Sequence, residues 1–328
     1  MLMTREQAAQ KIQSGATLYL AGDQALLDSL PKGNWIGGTI PYFMDKQGGT
    51  HSRELIFVVS EQDHCVSGSS VRWYDVDELP SIASDSPDHG FSVIILPATS
   101  QAHVRYAQDS PDYPGLFMKN IVGWVSGVDL ADLGKVAARI YDGTSGKSYS
   151  EGCVALHATL PKDKMVSVGI VNCFKQGDGD VLTFAQDGFD IGQALVNGVP
   201  RDFAEYLTAN QIDVRLPLVA DYNGEKINAS IQSIDQDAHK VTLYAPVFRG
   251  VEYRIATPVA NYVEEFSRQL PQTVRSPEFS CNCILNFLYS ELEGKRTGEL
   301  IGPVTFGEVA YQLLNQTLVY LQIEDMPT

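Results

Sequence analysis

The sequence predicts an α/β protein of the α+β kind, built in two parts with mainly antiparallel or mixed sheets flanked by helices. Three observations lead there. Two continuous apolar runs of strand length, at 54–60 and 91–97, carry the pattern of strands buried on both faces. Between Lys119 and Phe184, Val, Ile, Thr and Tyr alternate with polar residues and are separated by Gly or Asp clusters, as in hairpins. Amphipathic stretches at helical spacing flank these segments. At 328 residues the chain is too long for one ordinary core and suits two domains or one large α/β unit, and a hydrophobic content of 44% is enough to fill it.

Thr4 and Gln7 form a capping box, Ala8 and Ile12 share a face and Gly15 supplies a stop, so residues 5 to 14 should be a short helix. A strand follows at 17–21. Residues 30 to 41 read as turn, short buried strand and turn. Within them Gly37 and Gly38 permit positive φ or close approach of the backbone to something, either a ligand or a packed neighbouring strand. The stretch from 61 to 90 is rich in Asp, Ser, Gly and Pro and reads mostly as loop. A helix should start at Ser100, setting His103 and Arg105 beside a strand end where α/β proteins place ligand contacts; a solvent-facing pair is the commoner outcome.

The runs at 136–141, 153–157, 165–171 and 181–184 read as hairpin strands that end the first part in an antiparallel sheet, with a turn at 176–180. Pro200 fits the first turn of a helix whose Phe203, Tyr206 and Leu207 share a face. Strands are expected at 214–221, 227–234 and 241–245, and a helix from Pro258 to Leu270, closed by Pro271 and Pro277. A strand at Phe279 and a last one at 317–323 complete the chain. A short helix from Val309 to Leu314 is expected between them, with Glu308 near its start and Asn315 at its end.

A formal net charge of -16, from 24 Lys and Arg against 40 Asp and Glu, argues against nucleic acid or an anionic membrane as partner. Five cysteines, at 65, 153, 173, 281 and 283, do not form a secreted disulfide framework. No apolar run approaches the ~20 residues of a span, and a cytoplasmic location is expected.

Candidate chemistry is sparse. Asp142-Gly-Thr-Ser-Gly-Lys-Ser148 imitates the end of a P-loop, but Tyr141 stands where its first Gly belongs and no helix follows, so it reads as a hairpin turn. Cys281 and Cys283, two apart in a strand, should face the same way. Either could be a nucleophile if a cation or His held it as thiolate, or both could be inert small hydrophobes. No His lies within forty residues of them, which leaves His103 or His157 as distant partners. Six scattered His and no paired Cys-x-x-Cys give no metal site, no cofactor is implied, and no Gly-x-Ser-x-Gly elbow is present.

The polar residues cluster late in the chain, in Phe279-Ser-Cys-Asn-Cys283, Phe306-Gly-Glu308 and Asn315-Gln-Thr317. This order of a Phe-Ser-Cys strand, a Phe-Gly-Glu turn and an Asn-Gln-Thr entry to a last strand resembles the C-terminal half of the FIST domains, a family of intracellular small-ligand sensors. Asp187-Gly-Phe-Asp-Ile-Gly-Gln-Ala-Leu-Val-Asn-Gly198 resembles the join between that family's halves, and Asn34-Trp-Ile-Gly-Gly-Thr39 its Gly-rich N-terminal strand end. Leu314 stands where the family has His, Cys283 where it has Arg, and residues 39–44 lack its Gly-Glu pair.

The resemblance implies FIST-like halves at 1–198 and 199–328 with a cleft between them. It implies recognition of a small polar metabolite, such as an amino acid, by a sensor rather than an enzyme. The site would draw on Gly37, Gly38, Thr39, Cys281, Asn282, Cys283, Phe306, Gly307, Glu308, Asn315, Gln316 and Thr317. Such a sensor would signal through a separate protein and could form homo-oligomers. The competing readings are a cysteine-dependent enzyme using Cys281 or Cys283, and a structural or oligomer-forming protein.

Overall fold

In the computed structural model, residues 1–60, 66–222, 224–270, 274 and 277–326 are described; Cys65 and Pro271 lie outside them. Among these residues, strands of two to eight residues and seven α-helices of four to nine make an α+β protein. The chain divides into two compact units. One takes Met1–Val171, Leu270–Leu313 and Leu318–Thr328, the other Asn172–Gln269 and Leu314–Thr317.

The first unit holds three six-stranded sheets. Each contains one parallel pair: Leu18–Gly22 with Trp35–Thr39, Gly90–Pro97 with Ile121–Ser126, and Phe279–Cys283 with Gly302–Thr305. Parallel neighbours cannot be joined by a tight turn. Each pair is accordingly linked by a crossover carrying a helix: Gln24–Leu27, Gln101–Asp109 and Ile284–Tyr289. Ser100 caps the second of these by accepting from the His103 N–H at 3.0 Å. The expected N-terminal helix is Arg5–Gln13. Its capping box is complete, with Gln7 N–H on Thr4 Oγ1 and Thr4 N–H on Gln7 Oε1, and Ala8 and Ile12 enter a core with Leu18, Leu20, Trp35 and Ile56.

The second unit pairs a six-stranded sheet with a three-stranded one formed by Gly188–Ile191, Lys240–Val247 and Ile231–Asp235. Its core gathers Phe184, Phe203, Leu207, Leu218, Val241 and Tyr253. The helix Tyr262–Gln269 lies within the stretch expected at 258–270 and buries Tyr262 and Phe266.

Several expectations change. The stretch read as loop contains an edge strand, Gly68–Tyr74, a 3₁₀ turn at Val76–Glu78 and a helix at Ser81–Asp85. An edge strand with an exposed face needs little apolar alternation, so Gly68-Ser-Ser gave no strand signal. The strands read as one terminal antiparallel sheet instead disperse. Ile140–Asp142 joins the first sheet, Cys153–Thr159 lies between Gly68–Tyr74 and Gly90–Pro97, and Lys164–Val171 pairs with Leu318–Asp325. Period-2 patterning identifies a strand but not its partner.

Pro200 lies in an edge strand, Val199–Asp202, where its missing N–H is tolerated. The helix begins at Phe203 under an Asp202 cap. The run 227–234 breaks at Ser230 into two strands. The helix expected from Val309 is absent: Tyr311 takes φ +64° and splits the run into Glu308–Ala310, paired with Ile121–Ser126, and Gln312–Leu314. Glu308 and Asn315 therefore cap no helix there. The P-loop imitation is a hairpin turn closed by Asp142 Oδ1, which accepts from the N–H groups of Thr144 and Ser145.

His103 is buried rather than solvent-facing, whereas Arg105 is exposed and paired with Asp109 at 2.7 Å. Burial pushes the His103 imidazole down to about 4. Between that value and the ~6.5 of an unfolded His, the unfolded chain binds a proton the folded one excludes, so stability is full above ~6.5 and falls as pH drops toward 4. Unfolding by urea at pH 7 and pH 5 should show about 2 kcal/mol of such loss, at 1.36 kcal/mol per unit, and His103→Gln should remove that part of the slope.

Candidate ligand pocket

Leu18–Gly22 and Trp35–Thr39 run in parallel, so their carboxyl ends open on the same side, at Gly22 and Thr39. In α/β sheets that is where ligands bind. A cavity of about 300 Å³ lies there, lined by Gly22, Asp23, Asp28, Thr39 to Pro41, Gly127 to Asp129, Asp132 and Arg53. Asp23 caps the crossover helix, accepting from the Ala25 N–H at 3.0 Å.

Arg53 ties the cavity walls together. Its Nε donates to Asp23 Oδ2 at 2.7 Å and its Nη1 to Asp132 Oδ2 at 2.9 Å, with Asp129 Oδ2 at 3.9 Å. The hydrogen bond and charge of Asp23 hold the guanidinium pKa above its ordinary value. Asp129 also meets His51 Nε2 at 2.8 Å, and the His51 ring stacks on Tyr42. The Ala131 N–H holds the Asp129 carboxyl below the usual range, and His51 and Arg53 act in the same direction against its burial. Asp28, more exposed than the other three carboxylates, accepts from the Tyr141 hydroxyl at 2.8 Å. Three carboxylates thus face one guanidinium, a fourth, Asp28, lines the same cavity, and one imidazole meets Asp129.

The floor is set by strand packing. Thr39 O accepts from the Gly127 N–H at 2.7 Å, and Thr39 Oγ1 accepts from the Arg139 N–H at 2.9 Å. A Cβ on Gly127 would lie 2.3 Å from the Phe306 ring, so that ring occupies the space behind the floor. A Cβ on Gly38 would sit 2.9 Å from Ile95 Cγ2 and Ser126 Cβ and 3.0 Å from Trp124 Nε1, and one on Gly37 would lie 3.1 Å from Leu20 O. Of the two readings of Gly37-Gly38, close packing of neighbouring strands accounts for the pair, and Thr39 alone of the three lines the cavity.

The cysteine segment occupies the carboxyl end of the third parallel pair. Cys281, Asn282 and Cys283 are buried there with Thr305, Gly307 and Glu308. Thr305 Oγ1 lies 3.3 Å from Asn282 O, 3.1 Å from Gly307 O and 3.5 Å from Glu308 Oε1. Asn282 Oδ1 accepts from the Cys283 N–H and from Asn286 Nδ2. The Cys281 thiol donates to Gly123 O, and burial, followed by the charge of Glu308, pushes its pKa well above the ordinary value. His157 bonds Tyr74 and Ser92 instead of a cysteine.

Asn315, Gln316 and Thr317 are buried in the second unit. The Ser230 hydroxyl lies 2.6 Å from Asn315 Oδ1 and 2.5 Å from Gln316 Oε1. Asn228 Nδ2 donates to Asn315 O, and Gln316 Nε2 to Arg215 O. These amides stitch that unit's own loops together.

The model of one family, described as a family of unknown function (DUF6976), matches residues 3–324. The chain belongs to DUF6976. That match overturns the FIST resemblance, because it covers nearly the whole chain and carries no FIST assignment. The short motifs behind the resemblance have local causes common to many folds: a buried strand, a turn between two strands and a loop of self-bonded amides. A comparison with curated proteins finds none that matches this DUF6976 chain. Among its described residues no helix is long and apolar enough to cross a membrane, and no group of three or more His, Cys, Asp or Glu is placed to hold a metal ion.

Asp23, Asp28, Arg53, Asp129 and Asp132 escaped the sequence reading. The available signal was Asp23 directly following the strand that ends at Gly22.

Two measurements check this geometry. Gly38→Ala should cost about 1–3 kcal/mol in urea unfolding through overpacking, while Gly68→Ala, whose Cβ would meet nothing within 4 Å, should be neutral. In a Cys65→Ser background, a thiol-specific reagent at pH 7 should find Cys153, Cys173, Cys281 and Cys283 unreactive in the native protein and reactive once it unfolds, since all four are buried.

Proposed function

We propose that this chain is a small-ligand-binding protein whose ligand is a polar, amine-bearing metabolite held in the cavity beyond Gly22 and Thr39. The observation that carries the reading is the placement of Asp23, Asp28, Asp129 and Asp132 around one cavity at the carboxyl ends of parallel strands, with Arg53 as its one guanidinium. Four carboxylates against one guanidinium leave a net negative field, which favours an ammonium or amidinium over an anion. Arg53, already oriented by Asp23 and Asp132, offers a second anchor for a carboxylate or carbonyl on the same molecule. An amino acid carries both groups, and about 300 Å³ is at the lower end of the range for small-molecule sites.

The competing cysteine chemistry draws no support from this geometry. A nucleophilic thiol must ionise and meet its substrate, whereas Cys281 is buried with its pKa pushed up and a carboxylate beside it.

Thermal shift against amino acids, diamines and guanidines, with organic acids as the contrast, tests the reading. An amine at a hundred times its dissociation constant should add about 2.7 kcal/mol of stability. Asp132→Asn and Asp28→Asn should each weaken that ligand about tenfold by calorimetry, a loss of about 1.4 kcal/mol. A panel in which only acids bind, or an amine whose affinity both variants leave intact, would remove this cavity from consideration.

A further inference from the structure

Away from the cavity, a line of hydrogen-bonding side chains crosses the second sheet of the first unit. The Ser86 hydroxyl donates to Ile82 O at 2.7 Å and lies 2.7 Å from Ser92 Oγ. Ser92 Oγ is 2.7 Å from His157 Nδ1, His157 Nε2 is 2.7 Å from the Tyr74 hydroxyl, and that hydroxyl donates to Asp85 Oδ2 at 2.9 Å. Ser86, Ser92, His157 and Tyr74 are buried, while Asp85 is 31% exposed and brings one end of the line to solvent.

Counting hydrogens decides what the line holds. Each of its five contacts needs one hydrogen between the two heavy atoms. The three hydroxyls and a neutral imidazole supply four. Because Ser86 donates to a backbone carbonyl at one end and Tyr74 to a carboxylate at the other, the interior contacts have only the Ser92 hydrogen and the ring hydrogens to share. An imidazolium completes the set: Nε2–H donates to Tyr74, Nδ1–H to Ser92, Ser92 to Ser86 and Ser86 to Ile82 O. A protonated Asp85 would also supply the missing hydrogen, but its Oδ2 already accepts from Arg72, which favours the carboxylate.

The charges beside the line are compatible with that extra proton. Among the described residues, the ionised groups beside the line are Arg72, Asp85 and Glu78; Arg72 pairs with both carboxylates and lies over the Tyr74 ring. One guanidinium against two carboxylates leaves a net charge of minus one that an imidazolium would cancel. On the neighbouring elements, Lys119 donates to Ser86 O and is neutralised by Asp88. Cys153, on the strand of His157, is a buried thiol.

We propose that this line is a proton-binding site, in which His157 is held as an imidazolium between Ser92 and Tyr74 and Asp85 is its counter-charge one hydroxyl away. Burial opposes this: together with the upward pull of Asp85 and the downward push of Arg72 it draws the imidazole down to about 4. Two charge-assisted hydrogen bonds from the ring offset that tendency. Loss of the proton leaves one contact without its hydrogen, so release weakens the tie between the Ser81–Asp85 helix and the sheet. The sign is opposite to that of His103. A group whose folded pKa exceeds the unfolded ~6.5 adds stability below that value, and the contribution is lost as pH rises through the folded pKa.

The test is a ¹⁵N titration of the ring nitrogens in the full chain labelled at histidine, with His157 assigned from the signals that His157→Gln removes. Both nitrogens should carry protons at pH 7, with a midpoint at least about one unit above the ordinary ~6.5. Tyr74→Phe, which cuts the link to Asp85, should lower that midpoint by about a unit or more. A ring with one protonated nitrogen throughout pH 6 to 8 overturns the proposal. So does a raised midpoint that Tyr74→Phe leaves unmoved. Because the titration is read on the unsubstituted chain, a variant that fails to fold does not decide the matter.

Discussion

The first unit depends on how closely the Trp35–Thr39 strand can approach the strands of a second sheet. Ile95, Trp124 and Ser126 occupy the space where a side chain at position 38 would begin, so no residue larger than glycine fits without displacing them. The approach fixes Thr39 at hydrogen-bonding distance from Gly127, and with it the floor of the cavity. The cavity therefore exists because two sheets come close at a point where one of them has no side chain.

The rest of the site is built by repeating one device. Each sheet of this unit contains a parallel pair, and each pair requires a crossover that leaves polar loop residues beyond its carboxyl end. Beyond the first pair, Asp23 and Asp28 of its crossover stay open and meet Asp129 and Asp132, which follow the Ile121–Ser126 strand of the second pair, and Arg53. Around the third they are closed over, so that Asn282, Thr305 and Glu308 bond within the protein. The same topology gives an open charged cavity in one place and a sealed polar core in another, and the difference lies in what covers the strand ends.

Much of this was legible in the sequence, and the limits have physical causes. Local interactions declared themselves: Thr4 with Gln7, Ser100 at its helix start, and the apolar run at 91–97 are decided within a few residues of chain. Partners were not legible, because the alternation at 153–157 or 165–171 is the same whichever strand lies alongside. Tyr311 with positive φ could not be foreseen, since a tyrosine gives no sign that it will be held in the left-handed region. The polar residues at 281–283 and 308 read as the wall of a polar pocket, and in the fold they are buried and bonded within the protein. They could not say whether it was open, because openness depends on chain a hundred residues and more away. The carboxylates of the cavity were silent for a related reason: a single Asp after a strand is ordinary, and only the fold assembles four of them.

The last long strand, Leu318–Asp325, forms hydrogen bonds with both Lys164–Val171 and Phe279–Cys283. Lys164 and its partner Asp325 are 161 residues apart in sequence. At about 5–20 residues per second of synthesis, the ribosome takes on the order of ten to thirty seconds to supply that partner. Throughout the interval the third sheet cannot close, and Lys164–Val171 presents an unpaired edge to whatever chain is nearby. The intervening Asn172–Gln269 segment, with its own core, emerges in the meantime. The topology thus imposes a waiting period on this sheet, set by the separation of two strands that lie side by side in the finished fold.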